Sequence, residues 1–194
     1  MSRKQEKLHE ELKNFIVNVG WTHKIHIVHS DDYSNYSNYF KIARIGTAAF
    51  TSSGLIGIFF VQDSFILKLI TAIFSFITVA LNAIDKTIDY DQLALKEKSD
   101  ANNFWNLRIE AESLLYDIVY NTKNVEEIEK DFTKLKTLRK QFNDGLLNVP
   151  KRTVNKACNM VNERRDNDYS KDYPKFIAPE LLNLKIEEKS DDNM

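Results

Sequence analysis

The sequence predicts an all-α fold: a two-pass transmembrane helical hairpin joined to a cytoplasmic, coiled-coil-like helical hairpin. Three observations predict it. Charged residues are scarce from Ile45 to Ile84 and dense on both sides of that stretch. Glycine and proline number only 5 and 3, neither occurs between Gly57 and Gly145, and no proline precedes Pro150. A sheet needs turn chemistry that this interval lacks. The mean hydropathy of −0.41 looks soluble only because it averages the apolar stretch with its charged surroundings.

The elements follow in order. Residues 1–44 form an N-terminal pre-membrane region, in which Glu6–Val28 reads as an amphipathic helix. Residues 45–84 are the transmembrane hairpin. Its first span, 45–62, carries no charge and reaches roughly 27 Å at about 1.5 Å per residue, close to the roughly 30 Å of a bilayer core. The second span, 64–84, holds one charge, Lys68, about one turn from its end, where a long side chain snorkels to the headgroups. A connection of Gln62, Asp63 and Ser64 makes the pair antiparallel. The alternative, a buried hairpin in a soluble protein, lacks both a charged helix face and a second apolar surface large enough to wrap it. Lys41 and Arg44 before the first span, and Lys86, Lys96 and Lys98 after the second, put both termini in the cytoplasm by the positive-inside rule. Tyr36, Tyr39 and Phe40 fall where an interfacial aromatic belt is expected.

Two stripes mark these spans. Ala49, Ser53 and Gly57 recur every fourth residue, and small residues at that spacing let another helix approach closely. Lys68, Thr71, Ser75, Thr78 and Asn82 form a polar face on the second span, extending to Asp85 and Asp89. Two readings fit this face. Its hydroxyls and amide are packing contacts, bonded across helices or to their own backbone, or they line a water-filled path. Two spans cannot enclose a pore, so the second reading requires several copies of the chain.

Residues 85–145 are expected to form the cytoplasmic antiparallel hairpin. The second span can run on unbroken from Ile84 into a helix whose seam is Phe104, Leu107, Ala111, Leu114 and Ile118, at alternating steps of three and four. This seam serves the hairpin or an oligomer contact. A turn at Asn121–Asn124 leads to a second helix capped by Asn124 with Glu127 and striped by Val125, Ile128, Phe132, Leu135, Leu138 and Phe142. Gly145 ends it. In residues 146–194, Pro150 opens a further helix carrying Val154, Ala157, Cys158 and Val161. After it comes a tail, partly ordered at KFIAPELLNL and disordered at EEKSDDNM.

Chemistry is sparse. The net charge of −1 gives no argument for nucleic acid, and Arg164 and Arg165 lie among acids. The single cysteine, Cys158, excludes an intrachain disulfide and has no nucleophile signature around it. Glu110 and Glu112, two positions apart, cannot face each other on a helix. His23, His26 and His29 share a broad helix face, but the nearest carboxylates in sequence are Asp31 and Asp32 and no cysteine is close. These histidines read as packing or surface residues, and no metal or other cofactor is expected. Phosphate-binding, nucleophile-elbow and metalloprotease motifs are absent, so an enzyme is not expected.

From about Trp21 to Leu138 the organisation resembles the SLATT family, the two-transmembrane effector domains of bacterial nucleotide-sensing and defence systems. The features that carry the resemblance are a pre-membrane helix containing WTHKIHIVH, the two close spans, and the long helix FWNLRIEAESLLYDI with its antiparallel partner. The resemblance rests on layout, so no site residue is transferred by it. It implies an effector in the bacterial inner membrane that oligomerises into a pore or disrupts the bilayer when a partner sensor is triggered. That sensor would be a nucleotide synthase, a nucleotide-sensing domain or a reverse transcriptase. The rivals are a passive anchor or scaffold and an accessory subunit of a larger membrane protein.

Overall fold

A computed structural model describes residues 3–61 and 64–165. The elements are α1 (Arg3–Phe60), α2 (Phe65–Thr87), α3 (Tyr90–Tyr120), α4 (Val125–Asn143) and α5 (Lys151–Asn162), with no strand among the described residues. The expectations for the tail at KFIAPELLNL and EEKSDDNM, and for Gln62 and Asp63 of the connection, lie outside the described residues.

The pre-membrane region and the first span are one helix of 58 residues, so the boundary at 44/45 is a change of surroundings within a continuous rod roughly 87 Å long. Ser64 caps α2 by accepting a hydrogen bond from the Leu67 amide at 3.3 Å. The expected unbroken run from the second span into the next helix is interrupted. Ile88 leaves helical geometry, and Asp89 caps α3 by accepting from the Gln92 amide at 2.9 Å. An aspartate at that position offers the backbone a new helix start, which the periodic apolar pattern alone does not reveal.

The turn between α3 and α4 is where it was expected: Asn121 is left-handed at φ 51°, a conformation asparagine tolerates. Asn124 caps α4, but the amide it accepts from is that of Glu126. Gly145, at φ 84°, follows the end of α4.

The core outside the membrane segment is a three-helix bundle. Leu8, Leu12, Phe15 and Val19 of α1 meet Phe104, Leu107, Ala111, Leu114 and Ile118 of α3 and Ile128, Phe132 and Leu135 of α4. The α3–α4 hairpin exists, yet α1 is the main partner of α3. The chain divides into two compact units, residues 1–154 and 155–194. In the first, Thr153 at the start of α5 donates to Asp32 at 2.8 Å. In the second, the described residues comprise the rest of α5, with Cys158 partly buried, and the turn to Arg165.

Candidate functional site: the membrane hairpin and its base

From Ile45 to Val79 the large apolar side chains face outward. Phe59, Phe60, Phe65 and Phe76 are exposed by 75–83%. The most apolar windows of the two helices are buried to only 0% and 6%. Each such side chain left in water forfeits roughly 1.5–3 kcal/mol, and the set together on the order of tens of kcal/mol. The rest of the described fold does not wrap this hairpin, which removes the reading of a buried soluble pair. Four of its hydroxyls are internally satisfied: Thr51, Ser52, Thr71 and Thr78 each donate to the carbonyl four residues earlier at 2.8–2.9 Å. That is the requirement for polar groups in hydrocarbon.

The two predicted stripes divide between an inner and an outer side. On α2, Thr71 is buried against α1 and Thr78 half-buried. Lys68 and Asn82 are exposed and Ser75 half-buried. Lys68, Ser75 and Asn82 are seven residues apart, so they form a line about 60° around the helix from the Thr71–Thr78 line. On α1, Gly57 lies near Leu67, whereas Ala49 and Ser53 are exposed.

A tight contact between the spans falls on a residue outside the predicted stripe. A methyl group at Gly54 would lie 2.2 Å from the Thr71 hydroxyl and 3.1 Å from its Cβ and Cγ2. Gly54 lies three positions before Gly57 in SSGLIG, and that spacing was the available signal. Phe50 stacks on Phe74 with ring centroids 5.0 Å apart.

The base of the hairpin is held by charge. Arg44, at the entry to the first span, pairs with Asp85 at the exit of the second. Lys41 reaches Asp91 at 2.7 Å, and Ser37 donates to the same carboxylate at 2.7 Å. The hydrogen bonds from Lys41 and then Ser37 hold the Asp91 carboxyl below its ordinary pKa. Of the expected aromatic belt, Phe40 stacks on Tyr90 at 5.4 Å and Tyr36 lies 5.9 Å from it, while Tyr39 points outward. The seam Phe104, Leu107, Ala111, Leu114 and Ile118 is buried within the single chain.

The histidines part company. His23 donates from Nδ1 to the Ala101 carbonyl at 2.9 Å and lies against Trp105. His26 and His29 are buried against Glu97 of α3, a fully buried carboxylate. It lies 71 residues from His26 in the chain, out of reach of any local pattern.

With this layout in view, a family comparison decides the kinship. Residues 8–171 match the SMODS and SLOG-associating 2TM effector domain family 4. The chain belongs to this SLATT family. The match reaches beyond Trp21–Leu138 at both ends and takes in α5. It is a family of membrane effector domains from defence-associated systems, and its name ties it to SMODS and SLOG sensor proteins. No curated protein and no solved structure matches the chain.

Proposed function

We propose that this SLATT protein is an oligomeric membrane effector that permeabilises the bacterial inner membrane when a partner sensor of the SMODS or SLOG class is triggered. One observation carries the reading: Lys68 and Asn82 are exposed on α2, in line with the half-buried Ser75. A lone amide facing lipid is costly, and a second copy of the hairpin supplies the missing polar surroundings. Several copies would bring these lines together around a water-filled path. Ala49 and Ser53, exposed on α1, suit the copy-to-copy contact. The Phe104–Ile118 seam is taken up by the chain's own bundle, and the reading assigns assembly to the membrane segment. Lys41, Arg44 and Lys86 at the base, with no basic residue in the connection, support cytoplasmic termini.

The test is membrane potential in cells expressing the protein with its trigger. Depolarisation is expected, and its loss in Ser75→Leu combined with Asn82→Leu. Toxicity with an unchanged potential would overturn the proposal. A second reading, a scaffold without conductance, is favoured by Thr71 and Thr78, which bond their own backbone and pack inward as interhelical contacts. It expects recruitment of a partner to the membrane with no change in permeability.

A further inference from the structure

The interior of the α1–α3 contact holds a carboxylate enclosed between two buried histidines. Glu97 is fully buried. Its Oε2 atom lies 2.5 Å from Nδ1 of His26 and 3.3 Å from Nδ1 of His29, and both histidines are more than nine-tenths buried. His29 Nδ1 and Glu97 Oε1 have no hydrogen-bond partner. An uncompensated carboxylate in such a place costs several kcal/mol. A proton shared between His26 and Glu97 neutralises the charge but leaves those two buried atoms unsatisfied.

A divalent cation on Glu97 Oε2, His26 Nδ1 and His29 Nδ1 would neutralise the carboxylate and give the His29 nitrogen a partner. The three ligand atoms lie within 4.8 Å of one another. A tetrahedral ion about 2.0–2.1 Å from each ligand needs them roughly 3.3 Å apart, the separation already present between His29 and Glu97. His26 would move back from the carboxylate by under about 1 Å to admit the ion. Two imidazoles and one carboxylate suit a first-row ion of the zinc class better than calcium or magnesium, which prefer oxygen ligands.

We infer that His26, His29 and Glu97 supply three ligands to a zinc-class divalent ion, with water as the fourth, clamping α1 to α3. The clamp lies roughly 24 Å along α1 from the start of the first span at Ile45. It joins the helix entering the membrane to the helix that follows the hairpin. The site is independent of whether the hairpin conducts.

The experiment uses the full chain in detergent, purified without a polyhistidine tag and stripped with a chelator. Cobalt(II) is then added as an optical probe, followed by zinc. One equivalent of cobalt per chain is expected, with a visible tetrahedral absorption band that zinc abolishes. Zinc at a hundredfold excess over its Kd should raise the thermal midpoint by roughly 5–10 °C. His29→Asn and Glu97→Gln should lose the band, and His23→Asn should keep it. If the two site variants do not fold, the stripped and reloaded native chain decides alone. Absence of the band and of any midpoint shift in that chain would overturn the inference, leaving a protonated histidine–glutamate pair. Equal binding by the native chain and the folded site variants would overturn it too.

Discussion

At the scale of single residues, the most informative positions are those where packing leaves no slack. Gly54 is one. Thr71 is β-branched and its hydroxyl is bonded to the Leu67 carbonyl at 2.8 Å, so it cannot turn away cheaply. Gly54→Ala should therefore push the spans apart, costing about 1–3 kcal/mol by overpacking. Thr71→Ala in the same chain should recover part of that loss, read as thermal stability in detergent. His23 is another. Burial, set partly against its bond to Ala101 and reinforced by the charges of Arg108 and Lys24, lowers its pKa below the ordinary value of 6.5. The folded state then takes up this proton less readily than the unfolded chain. Its contribution is complete above pH 6.5 and is lost as pH falls below that value. His23→Asn, which cannot titrate, should narrow the gap in unfolding midpoint between pH 7.5 and 5.5 seen in the native chain.

At the scale of elements, the break at Ile88–Asp89 separates the membrane hairpin from the bundle beneath it. Asp89 holds the start of α3, and Asp89→Ala should cost about 1 kcal/mol as a lost helix cap, measured by denaturant unfolding of the bundle. The seam of α3 belongs to the same scale. Phe104 is fully buried, and Phe104→Ala should cost about 3–5 kcal/mol in the same measurement. Copy-to-copy crosslinking within the membrane should survive that change if assembly uses the spans. The periodicity of Phe104, Leu107, Ala111, Leu114 and Ile118 was legible, because steps of three and four define one helix face. The identity of the partner facing it was not. The same stripe packs equally well against a second copy, against α4 or against α1, and the apolar pattern is silent between them.

For the whole molecule, the exposed hairpin and the charged bundle require two solvents. The protein should remain with membranes after alkaline carbonate extraction and enter solution only with detergent. Appearance in the aqueous fraction would contradict the arrangement. The pairs Arg44–Asp85 and Lys41–Asp91 tie together the ends that meet at the base of the hairpin. Being partly exposed, each contributes little by itself.

By itself, the sequence determined that the chain is helical, that it crosses a bilayer twice, and which stripe of α3 is apolar. These follow from local composition and period, since backbone and solvent act on neighbours along the chain. Tertiary structure alone decided that α1 runs unbroken into the membrane and supplies the main partner of α3. It also set Gly54 tightly against Thr71 and brought Glu97 to His26 and His29. Those facts depend on residues far apart in sequence whose meeting is set by packing, and no local pattern encodes it.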